Sequence, residues 1–170
     1  MRIRHWLSAI AALLVLAPSV VSAQTPMRFS AHTGLGAPIG RLGDNADLGF
    51  NLGLRGEVAM NPKWDFRGDA SWERFGRQNV SGSYSYWALA GNLVHRQSAR
   101  FYQYGGVGVY RTEVSSGNVS VTDANLGLQG GVGLNTTADQ LKTFVEFGLT
   151  GVFTSSGNNW WFPVKVGIRF

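Results

Sequence analysis

The side chains able to do chemistry are few, and their spacing decides between catalysis and architecture. Of three histidines, His5 sits in a leader-like first stretch, which leaves His32 and His95. Acyl transfer needs a nucleophile, a base and an orienting acid within hydrogen-bond reach. No His-x-Ser signature is present, and a lone histidine carries no mechanism without those partners. There is no Cys and no paired His, so no metal site is expected. Gly-Gly-Val-Gly occurs at 105–108 and again at 130–133. No helical pattern follows either copy, and neither a dinucleotide spacing nor a Gly-Lys-Ser/Thr is present, so no phosphate cradle and no cofactor are expected. What remains is a set of charges at regular spacing. Arg28, Arg55, Arg67, Lys165 and Arg169 stand against Glu57, Asp65, Asp69, Glu73 and Glu146.

These ten residues fall on alternate positions of segments whose other positions are apolar. The last segment, Trp160 to Phe170, puts Trp160, Phe162, Val164, Val166, Ile168 and Phe170 on one face and Lys165, Gly167 and Arg169 on the other. A period of two is the mark of a strand with one oily and one polar face. The same alternation predicts strands over 27–36, 48–60, 64–75, 86–94, 101–111, 124–135 and 143–153, which makes eight. The phase of 101–111 stays ambiguous, because Tyr102 and Tyr104 fall out of step with Val107 and Val109. Connections at 61–63, 96–100 and 136–142 are short. Those at 37–46, 76–85, 112–123 and 154–159 are longer and rich in Gly, Ser and Asn.

The N-terminus reads as an address. Arg2 and Arg4 precede an apolar run from Leu7 to Leu16, and Val21-Ser22-Ala23 offers small residues for cleavage. The pattern predicts a signal peptide over 1–23 and one domain over 24–170. With 23 Gly and only 15% charged residues against an average of about 25%, the remainder is unlike a soluble domain. The formal charge of +5 is too mild and scattered to imply a nucleic-acid partner.

Alternating strands in lipid must close on themselves, because every backbone polar group needs a partner there. The expected fold is therefore all-β: an eight-stranded antiparallel up-and-down transmembrane barrel, with its short turns periplasmic. Phe29, Trp64, Phe66 and Phe170 should girdle the short-turn end. Trp72, Tyr86, Trp87, Phe153, Trp160 and Phe162 should girdle the other. The ten charges should form a paired network filling a lumen only wide enough for side chains. Inward Gly106, Gly108, Gly131 and Gly133 should make room for the long Arg and Glu side chains. The alternative is a narrow channel for small solutes.

With strands, loops and terminus in place, the chain resembles small outer-membrane barrels of the OmpA/OmpX type. That resemblance implies a bacterial outer-membrane location, a lipid environment, and roles in membrane integrity, adhesion or surface-ligand contact through the long loops. An alternating last strand ending in Phe170, with Val164, Val166 and Ile168 on its oily face, also resembles the signal read by the barrel-assembly machinery. No peptidoglycan-binding segment follows Phe170, so a cell-wall tether is not carried over. Some small barrels modify lipid A, but His32 and His95 without partners argue against an enzyme.

Overall fold

The computed structural model describes residues 27–78, 81–116, 119–138, 141–155 and 157–170. The leader expected over 1–23 lies outside them. In order come β1 (Arg28–Ile39), one helical turn α1 (Gly40–Gly43), β2 (Gly49–Ala59), β3 (Trp64–Gly76) and β4 (Gly82–Arg96). Then follow β5 (Phe101–Ser116), β6 (Val119–Ala138), β7 (Leu141–Thr154) and β8 (Gly157–Arg169). Each strand pairs antiparallel with the next, and β8 returns to β1, so the sheet is a closed barrel of eight strands. Closure extends to the last residue. Phe29 and Phe170 exchange two backbone hydrogen bonds, of 3.4 and 3.0 Å.

Tilted strands give the barrel its stagger. Leaving β1 at Arg28 and passing through the paired residues Glu57, Arg67, Asn92, Gly106, Gln129, Thr150 and Trp161, the walk re-enters β1 at Pro38. All of these share the inward phase. Leu35, Leu54, Leu89, Val107, Leu126 and Val166 share the other and are exposed on the outer wall. The usual soluble arrangement is thus inverted, with polar and charged groups inside and aliphatic groups outside, as hydrocarbon surroundings require.

Four expectations change. Parts of 76–85 and 112–123 expected as loop are strand, since β4 begins at Gly82, β5 continues to Ser116 and β6 begins at Val119 and runs for 20 residues. About 9–11 suffice to cross a bilayer, so the ladder continues into water. There both faces are wet, polar residues satisfy both, and the alternation that marks a strand disappears. The connections at 136–142 and 154–159 likewise shrink, since β6 reaches Ala138 and β7 begins at Leu141, and β7 reaches Thr154 and β8 begins at Gly157. In 37–46, β1 persists to Ile39. Gly40, at φ 55°, then turns the chain into α1, which drops Leu42 into the barrel mouth together with Ala46. Finally, the phase of β5 is continuous. Tyr102, Tyr104 and Tyr110 point inward with Gly106 and Gly108, and Val107 and Val109 point out.

Candidate functional site

The lumen is built from cross-strand neighbours of opposite sign. Register places Glu57 beside both Arg28 and Arg67, and Arg55 beside Asp69. From the opposite wall, Glu146 on β7 reaches across to meet the guanidiniums of β2 and β3. The result is one chain of ion pairs. Arg96 contacts Asp65, whose other oxygen lies 2.9 Å from Arg28 Nη2. Arg28 donates to Glu57 at 2.7 Å, and Arg67 Nε donates to the second Glu57 oxygen at 3.0 Å. Arg67 Nη1 donates to Glu146 Oε1 at 2.8 Å. Arg55 holds Glu146 with both fork nitrogens, at 2.8 and 3.0 Å, and meets Asp69 at 3.3 Å. Signs alternate from one end of the chain to the other.

Not every charge expected in this network belongs to it. Arg169 points inward but donates to Asn135 Oδ1 at 2.7 Å, with its guanidinium over Tyr102 and Phe144. Glu73 and Lys165 are buried, yet neither lies within ion-pair distance of an opposite charge among the described residues. Glu146 is the direct cross-strand partner of Lys165, but its oxygens are already occupied by two guanidiniums and the Tyr102 hydroxyl, which donates at 2.8 Å. Arg96 is missing from the ten expected charges because in the sequence it marks the start of a turn. Instead it closes β4 and bonds Asp65 on the neighbouring strand β3.

Aromatic rings share the lumen with the charges. Arg55 lies 4.8 Å from the Phe144 ring centre, and Arg67 lies 5.3 Å from those of both Tyr102 and Tyr104. Such contacts stabilise a cation where water is scarce. Inward glycines admit these rings rather than the long Arg and Glu side chains. A Cβ on Gly133 would sit 2.1 Å from Tyr102 Cζ, one on Gly131 2.9 Å from the Tyr104 hydroxyl, and one on Gly167 2.3 Å from Phe144. Gly106 and Gly108 face Asn92 and Ala90 instead.

Toward the long-hairpin end the filling turns apolar. Leu42, Ala46, Phe75, Tyr86, Tyr110, Val152 and Trp161 form one buried cluster. Tyr86, expected in the outer girdle, is inside it because β4 places its even residues inward, against the Trp161 ring at 4.9 Å. Between cluster and ion chain, Tyr110 donates to Gln129 at 3.3 Å and Gln129 donates to Asn92 at 2.8 Å. His32 is also buried there, and its ring nitrogens have no protein hydrogen-bond partner among the described residues. One cavity of about 210 Å³ opens at the short-turn end beside Arg28, Asp65 and Arg169. Another, of about 280 Å³, opens at the hairpin end. Among the described residues no cluster of three or more His, Cys, Asp or Glu is placed to hold a metal.

On the outer wall, Phe29, Trp64, Phe66, Trp87, Phe153, Phe162 and Phe170 are exposed, and Trp72 and Trp160 are half-buried against neighbouring rings. Trp72 stacks on Trp87 at 5.8 Å and takes Phe50 edge-on at 5.2 Å. His95 lies in β4 with its ring 4.6 Å from Trp64. Val164, Val166 and Ile168 continue the exposed stripe of β8 down to Phe170.

A family model described as outer membrane protein beta-barrel domain matches residues 8–170. No curated protein sequence is significantly similar to the chain. Among solved structures, the chain is similar to Ail, the attachment invasion locus protein of Yersinia pestis, in complex with the heparin analogue sucrose octasulfate. That likeness has 16% identity and a TM-score of 0.58, covering 85% of this chain and 99% of that one. It is similar to Neisserial surface protein A at 14% identity and a TM-score of 0.59, covering 84% and 95%. It is similar also to the N-terminal barrel of Pseudomonas aeruginosa OprF at 11% identity and a TM-score of 0.52, covering 86% and 98%. At these identities the likeness is one of fold.

Proposed function

Because the chain belongs to the family of outer-membrane protein β-barrel domains, we propose that it is a closed structural barrel of the bacterial outer membrane that offers its long hairpins to the exterior for surface contacts such as adhesion. This reading assigns it no catalysis. One observation carries it: the ion chain from Arg96 to Asp69 and the aromatic cluster around Trp161 are stacked in one lumen. An eight-stranded barrel is just wide enough for side chains to fill, and here both layers do so. Solutes would have to displace paired charges and packed rings together. The bound heparin analogue in the Ail structure supports an interaction role for a barrel of this shape.

The expected result in a planar lipid bilayer is a conductance no greater than that of the protein-free membrane. Steady, stepwise ion currents from the purified barrel would replace this reading with a narrow channel.

The terminal strand has a second role in this proposal, as the segment that the assembly machinery reads. Its support is the exposed stripe Val164, Val166, Ile168 and Phe170, ending where Phe170 pairs with Phe29. Deleting Phe170, or making Phe170→Asp, should sharply lower the amount inserted while export continues. A charge near an interface destabilises a folded barrel by only about 0–1 kcal/mol, so thermodynamics alone would remove little protein. Quantitative blotting of membrane and periplasmic fractions measures both. Wild-type insertion of the truncated chain would remove the role.

A further inference from the structure

The cavity at the hairpin end is not used by the closed-barrel reading, and its walls are unlike the rest of the molecule. It lies above the aromatic cluster, bounded by α1 and by the wet upper parts of β4 to β8. Three carboxamides and one carboxylate enter it: Asn45, Asn125, Asn159 and Asp123. Among the described residues, each amide is fixed by a single N–H. Asn45 donates to the Arg41 carbonyl at 2.8 Å, Asn125 to Thr112 Oγ1 at 3.1 Å, and Asn159 to the Tyr86 hydroxyl at 3.1 Å. Toward the described residues, that leaves every one with a carbonyl oxygen and a second N–H. The apolar part of the wall is chiefly Tyr84 and Val121. Arg77 lies 5.6 Å from the Tyr84 ring centre and holds that ring in place.

We propose that this cavity binds a single uncharged pyranose unit of a glycan. A pyranose carries hydroxyls on its rim, each both donor and acceptor, and apolar C–H groups on its faces. The rim suits fixed amides that present both a donor and an acceptor, and the face suits Tyr84 and Val121. An apolar ligand would strip water from the amides without replacing its hydrogen bonds, which is unfavourable. A sulfated or phosphorylated sugar would meet the Asp123 carboxylate. Arg41, the one cation in the wall among the described residues, only balances that charge. The volume of about 280 Å³ sits just below the roughly 300–1,000 Å³ of drug-sized sites, which suits one ring rather than a chain. The inference rests on the reading that the hairpin end faces the exterior, where glycans are met.

The test is saturation-transfer NMR on the full barrel in detergent micelles. The probes are the methyl glycosides of glucose, galactose, mannose and N-acetylglucosamine, with glucose 6-sulfate as the charged probe. At least one neutral glycoside should bind saturably and more tightly than the sulfate. Losing one wall hydrogen bond or the ring face should weaken it about tenfold in Asn125→Ala and in Tyr84→Ala. Each variant is first shown to be folded by its heat-shifted mobility on SDS gels. Displacement by polysaccharide released from the bacterium's own surface would identify a self glycan, and displacement by an uncharged mammalian oligosaccharide a foreign one. Displacement by neither would overturn the proposal. So would no saturable neutral binding, preference for the sulfate, or undiminished binding in both variants. A non-conducting barrel that binds no sugar would sink this inference alone, whereas a conducting one that binds would sink only the closed-barrel reading.

Discussion

Glu146→Ala is expected to destabilise the folded barrel by about 3–5 kcal/mol, the loss that follows when one partner of a buried ion pair is removed. The carboxylate is the hub of the lumen, taking two bonds from Arg55, one from Arg67 and one from Tyr102. Side chains of Arg55 and Arg67 are only 2% and 1% exposed, so neither can swing into water once its acceptor is gone. Asp65→Ala removes a carboxylate from the same chain with a different outcome. Its partners Arg28 and Arg96 are 37% and 29% exposed at the short-turn mouth. Asp65 itself is fully buried, but both guanidiniums can turn to water once it is gone. No charge is left stranded, so Asp65→Ala should cost clearly less than Glu146→Ala. The exposure of the partners left behind, not the charge removed, separates the two. Urea unfolding in lipid vesicles, followed by tryptophan fluorescence and gel mobility, measures both variants. Equal and small losses would show that bulk water reaches Glu146, and the filled-lumen account would fail.

The two variants also mark the line between what the sequence makes legible and what it hides. The inward phase of Arg55, Arg67 and Glu146 is legible because lipid on one side and a polar lumen on the other force strict alternation on residues 48–60, 64–75 and 143–153. The depth of each charge is not, because depth depends on stagger between strands, and that is a property of closure. For the same reason Glu73 and Lys165 can be placed inside but not paired, whereas Arg96 is invisible as a partner of Asp65 because it reads as the start of a turn. Where the wall leaves the membrane, as in 112–123, alternation lapses and the strand reads as loop.

Rings are the harder case. In a membrane barrel, aromatic residues suit both the interfacial girdle and the lumen, so residue type does not reveal direction. Trp72 and Trp87 sit outside, whereas Tyr86, only one position from Trp87, lies in the sealed cluster with Trp161. The usable signal is phase, and at Tyr102 and Tyr104 it opposes the pull of the rings toward an outer girdle, which is why 101–111 reads ambiguously. A second signal lies in the glycines. Tyr102, Tyr110 and Phe144 each face a glycine on the adjoining strand, at Gly133, Gly127 and Gly167. Recognising it requires knowing which residues are paired: Tyr102 with Gly133, and Phe144 with Gly167.

That pairing sets the last expected result. Replacing glycine by alanine within a strand ordinarily stabilises by roughly 0.5–1 kcal/mol, because glycine loses more freedom on folding. Gly133→Ala should do the reverse. Its Cβ would fall 2.1 Å from Tyr102 Cζ and 2.4 Å from both Cε2 and the hydroxyl oxygen. The ring cannot yield cheaply, since its hydroxyl is bonded to Glu146 and the guanidiniums of Arg67 and Arg169 lie over it. Overpacking of this kind costs about 1–3 kcal/mol. A double-mutant cycle isolates the cause. Made in a Tyr102→Ala background, Gly133→Ala should become neutral or stabilising, while Tyr102→Ala alone weakens the barrel through the lost bond to Glu146. If Gly133→Ala costs the same in both backgrounds, the glycine serves the backbone of β6 and not the ring it faces.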